Sequence, residues 1–320
     1  MGTRILSGDC RETMKTLEAR SVHTCVTSPP YWGLRDYGID GQIGKEPSPK
    51  EFVSTLVEVF EQVKRVLRDD GTLWLNLGDT YATGTTAGRQ QSKNPGVGAN
   101  NEEAQNSVGR VGTPAGMKTK DLIGIPWMVA FALRDAGWYL RQDIIWAKPN
   151  PMPESVTDRC TKSHEHIFLL SKSQKYYFDH EAIKEPSTMH QSDWNEDGTQ
   201  KRDSKVRGDF AGKNTESGKE GFRAISETRN KRDVWTVPTL PYPGAHFATF
   251  PPALIKPCIQ AGSPAGGIVL DPFGGAGTTG LVADRLGRDA ILCELNPEYI
   301  TLADHRITDD APLFTQVDQS

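Results

Sequence analysis

Gly267-Ile268-Val269-Leu270-Asp271-Pro272-Phe273-Gly274-Gly275-Ala276-Gly277-Thr278-Thr279-Gly280 is the stretch on which the fold turns. Its short aliphatic run predicts a buried strand over 268–270. Proline has no N–H for a sheet ladder, so the strand stops at Asp271-Pro272. The glycines that follow permit a tight turn and a close approach of backbone to a ligand. Apolar spacing over 278–286, closed by Gly287, predicts a helix whose N-terminus faces the turn and favours negative groups. A further strand over 290–293 ends in Glu294, an acid placed to accept hydrogen bonds from ribose hydroxyls. The glycines do not follow G-x-G-x-x-G, which disfavours a dinucleotide. Asp271, just before the turn, suits the cationic amino group of a methionine moiety. Glycines alone are compatible with a purely structural strand–helix turn; the whole string together with Glu294 argues for a cofactor cradle.

The same alternation runs through the rest of the chain. Strands are predicted over 4–7, 22–27, 72–77, 140–147 and 166–170. Between them, Phe52, Leu56, Val59, Phe60, Val63 and Leu67 recur at helical spacing. That helix starts at Ser48 or Pro49 and stops at Asp69-Asp70-Gly71. A second helix spans 126–136 before Gly137. Strands alternating with helices imply an α/β chain whose mostly parallel sheet is covered on both faces. Residues 82–120 and 185–233 break the rhythm, being polar with little apolar periodicity. Structureless stretches of this length are usually functional or disordered.

Composition narrows the partners. The 320 residues carry a net charge of −4, so any nucleic-acid surface must be local. Residues 201–233 hold 10 Lys and Arg against 6 Asp and Glu, a patch able to neutralise phosphates; a solvated polar loop accounts for it equally well. The five cysteines are scattered without a C-x-x-C, which argues for a reducing compartment and against a zinc site or disulfide framework. No apolar run approaches the ~20 residues of a membrane helix, and the N-terminus lacks a signal-peptide pattern. A cytoplasmic protein with no membrane partner and no metal is expected.

A second constellation follows the predicted strand 22–27. Ser28-Pro29-Pro30-Tyr31-Trp32-Gly33 begins with two prolines that end the strand and fix the backbone. Open α/β sheets bind ligands at the C-terminal ends of strands, and this turn presents carbonyl and hydroxyl acceptors beside an aromatic ring. An exocyclic base amine needs such a site. Its lone pair is delocalised into the ring, and acceptors on its N–H groups favour the pyramidal form that can attack a methyl sulfonium. Tyr31 is placed to stack on the base, which must first leave the duplex. In isolation, a Pro-Pro-Tyr turn is also compatible with a structural role.

Together and in this order, the two constellations resemble the amino-methyltransferases of DNA, with their Asp/Asn/Ser-Pro-Pro-Tyr/Phe/Trp catalytic motif and Phe-x-Gly-x-Gly cofactor motif, here Phe273-x-Gly275-x-Gly277. The catalytic motif comes first, as in the circularly permuted β group. The resemblance covers nearly the whole chain. It implies a Rossmann-like, S-adenosylmethionine-dependent methyltransferase fold, circularly permuted, with a mostly parallel seven-stranded sheet and an inserted target-recognition region. Residues 1–184 are then the catalytic half, with a mobile loop at 82–120 that orders over DNA. Residues 185–237 are the target-recognition insertion and 238–320 the cofactor-binding half. Ser28, Pro29, Pro30 and Tyr31 are the expected catalytic residues. Asp9, Asp271, Phe273, Gly275, Gly277, Thr278, Glu294 and Phe250 are the expected cofactor contacts, Asp9 at the adenine and residues 246–251 at the methionine end. Ser-Pro-Pro-Tyr is commoner in cytosine-N4 enzymes and Asp-Pro-Pro-Tyr in adenine-N6 enzymes, so N4 is favoured and N6 stays open. Double-stranded DNA is the expected partner, with a cognate restriction endonuclease as a further candidate; monomer and homodimer are both compatible. A methyltransferase acting on RNA or protein is the more distant alternative.

Other signals carry less. Pro257-Cys258 precedes the glycine turn in a helix-like stretch, 253–260, the wrong order for a cytosine-C5 nucleophile; a buried structural cysteine is expected. His164 and His166 are read as lying on opposite faces of a strand, which argues against a metal pair. Trp32, Trp74 and Trp146 are expected in the core or a pocket wall. Arg35 and Asp36 could shape the target pocket or form a surface ion pair.

Overall fold

Strand β2, which stops at the two prolines, is the middle of the sheet. The computed structural model describes residues 2–34, 37–83, 113–187, 228–240, 250–310 and 316–319. In chain order the elements of the larger unit are β1 (Gly2–Ser7), α1 (Cys10–Thr13), β2 (Val22–Thr27), α2 (Pro49–Val66), β3 (Leu67–Leu77), α3 (Ile125–Asp135), β4 (Tyr139–Ala147) and β5 (His164–Ser171). After a smaller unit containing β6 (Glu185–Pro186) and β7 (Thr228–Arg229) come β8 (Val234–Thr236), α4 (Pro252–Gly262), β9 (Ile268–Asp271), α5 (Thr278–Arg285), β10 (Asp289–Glu294), α6 (Pro297–Asp310) and β11 (Gln316–Gln319).

Among the described residues, nine strands form one sheet in the order β11-β1-β10-β9-β2-β3-β5-β4-β8. Only β5 runs against its neighbours β3 and β4; the other pairs are parallel. All seven predicted strands lie in this sheet. The expected count of seven is corrected to nine among the described residues, because β8 and β11 add at the two edges. β8 is only three residues long, Val234-Trp235-Thr236, and β11 is polar, so neither carries the apolar run that marks a buried strand. Strand order reverses between β9 and β2, which pair at Thr24 with Val269 and Cys25 with Leu270. At such a switch point the loops leaving the two strands diverge and open a crevice.

Alternation along β3 sorts the two layers. Leu73, Leu75 and Leu77 join Phe52, Leu56, Val59, Phe60 and Val63 of α2 and Val129 and Leu133 of α3 in one core. Trp74 points the other way, where α4 approaches so closely that a Cβ on Gly262 would meet the Trp74 indole at 2.8 Å. Each fully buried Leu or Phe contributes about 1.5–3 kcal/mol. Ser48 caps α2 by accepting from the Glu51 N–H at 3.3 Å, with Pro49 in the first turn. The predicted stop at Asp69-Asp70-Gly71 is corrected: α2 ends at Val66, and Leu67 is already extended and pairs with Val22. Burial of Leu67 against the sheet outweighs the turn signal that follows it. α6 has no counterpart in the sequence reading; its Ile300, Ala303 and Ile307 pack on Ile5 and Leu292. No described helix is long and apolar enough to cross a membrane.

Residues His180–Arg232 form a separate compact unit. Within it β6 and β7 pair antiparallel, and Glu185 accepts from both Arg229 (2.9 Å) and Arg232 (2.8 Å). The expected insertion, 185–237, thus differs at both ends. Val234–Thr236 belongs to the large sheet beside β4, where Trp235 is buried. Residues 188–227 of the expected target-recognition region, and 84–112 of the expected mobile loop, lie outside the described residues.

Candidate active site

The crevice between β9 and β2 is lined by two turns. On the β9 side, the turn takes positive φ at Gly275 (50°) and Gly277 (74°), which L residues rarely adopt. A Cβ on Gly274 would meet Leu292 Cβ at 2.9 Å, and one on Gly277 would meet Ala303 Cβ at 2.9 Å. The turn therefore packs down on β10 and α6, leaving its other side for a ligand. Glu294, ending β10, is oriented by its own backbone donors. One carboxylate oxygen accepts from the Gly275 N–H at 2.7 Å and the other from the Asn296 N–H at 2.8 Å. Burial pushes this carboxyl above its ordinary value against those hydrogen bonds. Each oxygen keeps a second lone pair, so a diol can be bound without losing the support.

Asp271 is placed differently from the direct amine contact expected of it. It is 1% exposed. One oxygen accepts from the Thr27 hydroxyl (2.6 Å) and the Phe273 N–H (3.0 Å), the other from the Thr279 hydroxyl (2.6 Å). Burial raises its pKa, opposed by these three hydrogen bonds. Thr278 is buried and accepts from Arg306 of α6 at 2.8 Å. Asp9 follows Gly8 (φ 124°) at the end of β1 and caps α1 by accepting from the Arg11 N–H at 2.8 Å. Its carboxylate also binds the Arg11 guanidinium at 2.6 Å, which holds its pKa below the usual carboxylate range. Phe273 and Phe250 are half-buried, Phe250 just before α4; residues 241–249 lie outside the described residues, as do Arg35 and Asp36.

On the β2 side, Pro29 is buried while Ser28, Pro30 and Tyr31 are half-buried. The Tyr31 hydroxyl donates to Glu165 at 2.6 Å and lies 3.4 Å from the Asn76 side-chain oxygen. Burial, followed by the Glu165 charge, pushes the phenol well above its ordinary pKa. Asn76, near the end of β3, donates to Glu165 at 3.3 Å and to the His166 carbonyl at 3.1 Å. The other Glu165 oxygen accepts from Lys148, just past β4, whose ammonium lies 4.2 Å from the Trp146 ring centroid. Gly78 leaves room for the Tyr31 ring: a Cβ there would sit 2.5 Å from Tyr31 Cε2. Beside these, Asp79 caps α3 by accepting from Gly124 (3.0 Å) and Ile125 (3.1 Å).

In the sequence Asn76 lies within the predicted strand 72–77, while Lys148 and Glu165 stand one residue outside the predicted strands 140–147 and 166–170. The signal available was an acid at the start of a buried run, His164-Glu165-His166-Ile167-Phe168. The expected opposite orientation of His164 and His166 is corrected. Residues i and i+2 of a strand share a face, and the two rings lie 5.4 Å apart. Trp32, Trp74 and Trp146 are buried as expected, and Cys258 lies 1% exposed within α4.

One lip thus carries a glycine turn beside an acid able to accept from a diol, and the other a rigid acceptor turn beside an aromatic ring, the arrangement expected of an S-adenosylmethionine-dependent methyltransferase. Comparison with known proteins narrows the class. The family model of N6/N4 methyltransferases, described as DNA methylase, matches residues 22–305, and the chain belongs to this family. It is 47% identical over 305 residues to the type II methyltransferase M.SmaI of Serratia marcescens, covering 95% of this chain and 90% of that one. It is 48% identical over 307 residues to the type II methyltransferase M.Cfr9I of Citrobacter freundii, covering 96% and 88%. Among solved structures, the fold matches PvuII DNA methyltransferase (cytosine-N4-specific) with a TM-score of 0.62 at 17% identity, over 99% of this chain and 95% of that one. It also matches a Thermus thermophilus protein solved in complex with S-adenosyl-L-methionine, with a TM-score of 0.58 at 23% identity, over 98% of this chain and 99% of that one. The protein is an S-adenosylmethionine-dependent DNA amino-methyltransferase.

Proposed function

We propose that this enzyme methylates the N4 amino group of cytosine in duplex DNA, with Ser28-Pro29-Pro30-Tyr31 as its catalytic turn. The observation that carries the assignment is the placement of this turn on β2, beside the glycine turn of β9, with the Tyr31 hydroxyl held by Glu165. Bound S-adenosylmethionine supplies an electrophilic methyl group on a sulfonium. Glu294 accepts from the ribose hydroxyls, and Asp9 and Phe250 flank the adenine and methionine ends. Asp271 is assigned a positioning role in place of a direct amine contact, since it is 1% exposed and turned to Thr27, Thr279 and Phe273. The turn offers the Ser28 hydroxyl and a backbone carbonyl to the amine N–H groups, and Tyr31 stacks on the extruded base. Transfer is direct, with no covalent enzyme intermediate, and rests on positioning.

Ser28 at the head of the turn supports cytosine over adenine, because that residue heads the motif more often in N4 enzymes. The fold neighbour whose name specifies cytosine N4 agrees with this choice. Residues 180–232, rich in Lys and Arg, are assigned to target recognition, and the type II relatives support a place beside a restriction endonuclease of the same site. Mass analysis of nucleosides from DNA methylated by the pure protein tests the proposal. N4-methylcytosine is expected; N6-methyladenine alone overturns the choice of base.

A further inference from the structure

Stacking on a base requires only a flat ring, and phenylalanine would supply one. Here the ring carries a hydroxyl that is committed to a largely buried ionic cluster. The Tyr31 hydroxyl donates to Glu165 at 2.6 Å, the range of a charge-assisted O–H···O⁻ bond, about twice as strong as a neutral one. The same carboxylate receives the Asn76 amide at 3.3 Å and the Lys148 ammonium. The side chains of Glu165 and Lys148 are only 11% and 17% exposed. Lys148 is in turn seated over the Trp146 ring. The ring edge has its own constraint, since any side chain at Gly78 would press against it.

Three strands supply this cluster: Asn76 from β3, Lys148 from the end of β4 and Glu165 from the start of β5. All three open toward the crevice, because β5 begins where β3 and β4 end. Tyr31 is thus held at its backbone by the prolines, at its edge by Gly78 and at its tip by Glu165.

We propose that Glu165, paired with Lys148, is a positioning residue for methyl transfer: by holding the Tyr31 hydroxyl it fixes the ring against which the target base stacks, and so sets the amine in line with the methyl group. It touches neither base nor cofactor and acts through Tyr31. The inference rests on the assignment of Ser28–Tyr31 as the catalytic turn. It does not depend on which base is methylated, because either amine needs the same alignment.

A double-mutant cycle on single-turnover methylation of cognate duplex tests it, with Tyr31→Phe, Glu165→Gln and the double variant. Each single substitution is expected to lower turnover about tenfold, on the order expected for a sub-ångström misplacement, with cofactor Kd and the thermal midpoint of Tyr31→Phe little changed. The double variant is expected to be no slower than the slower single one, because both remove the same link. Falls that multiply, or a Tyr31→Phe enzyme as fast as wild type, overturn the proposal. If Glu165→Gln does not fold, Glu165→Asp replaces it: the charge opposite Lys148 stays, but the oxygen is withdrawn from the hydroxyl by one methylene, and the same non-multiplicative outcome is expected. Tyr31→Ala separates this inference from the assignment beneath it. Turnover retained in Tyr31→Ala removes the catalytic assignment and the inference together, whereas turnover lost in Tyr31→Ala but kept in Tyr31→Phe overturns the inference alone.

Discussion

The Thr27 hydroxyl donates to Asp271 at 2.6 Å across 244 residues of sequence. Thr27 ends the strand that leads into Ser28-Pro29-Pro30-Tyr31, and Asp271 ends the strand that leads into the glycine turn. The bond therefore ties the two turns together at the switch point of the sheet. Thr279 completes the tie by donating to the other oxygen, so the first turn of α5 is fixed to the same carboxylate.

Asp271→Ala is expected to weaken cofactor binding by about tenfold or more. It leaves the Thr27 hydroxyl buried without its acceptor, at about 1–3 kcal/mol, and the Thr279 hydroxyl with only the Val26 carbonyl at 3.4 Å. Calorimetric titration with S-adenosylmethionine checks this, and an unchanged Kd would remove Asp271 from the cofactor site altogether. A drop in thermal midpoint is expected alongside, because the carboxylate acts by holding two strands.

Glu294 predicts a pH dependence of cofactor binding. Burial raises its folded pKa above the ordinary value of 4.5. The sign for stability follows: the folded state holds the proton more tightly than the unfolded chain, so this group favours folding most below 4.5 and progressively less as pH rises through the folded value. Cofactor affinity has the opposite sense, since the ionised form is the better acceptor for a diol. Affinity is expected to fall on acidification starting above pH 4.5. In Glu294→Gln the affinity is expected to be lower by about tenfold and this acid limb absent. An identical limb in the variant would show that another group titrates.

Gly78→Ala is expected to reduce turnover by about tenfold or more while leaving cofactor Kd within about twofold. The added Cβ would stand 2.5 Å from the Tyr31 ring, so the ring must shift from its seat, at a cost of about 1–3 kcal/mol for overpacking. Single-turnover rates beside cofactor titration read the two effects separately. A variant with normal turnover would mean that the ring has room to move without consequence.

Tyr31→Ala is expected to lower turnover by about a hundredfold or more, with cofactor affinity nearly unchanged. Base stacking on an aromatic is worth about 1–3 kcal/mol, and its loss also frees the base within the pocket. Fluorescence of a base analogue at the target position distinguishes failed stacking from failed extrusion. A larger loss in cofactor affinity than in turnover would place Tyr31 on the wrong side of the crevice.

Much of this architecture was legible in the chain itself. The helix α2 could be found from Phe52, Leu56, Val59, Phe60 and Val63, and its start from Ser48-Pro49, because apolar period and capping act within a few residues. The Ser28-Pro29-Pro30-Tyr31 and Phe273-x-Gly275-x-Gly277 turns were equally visible, since proline and glycine restrict or free the backbone where they stand. The edge strands β8 and β11 were not, β8 being too short to show a period and β11 too polar. Local signals also misled at Asp69-Asp70-Gly71, where burial of Leu67 extended the strand through residues that usually make a turn.

The sequence by itself determined the seven inner strands, helices α2, α3 and α5, the order of the two motifs and the chemistry each could offer, because those follow from the local preferences of named residues. Only the tertiary structure decided which side chains support the motifs. It turned Asp271 inward to Thr27 and Thr279, gave Thr278 to Arg306, and brought Glu165 to Tyr31 from 134 residues away. Such partnerships depend on strand order and register, which are fixed by burying the whole sheet at once and leave no periodic mark in the chain.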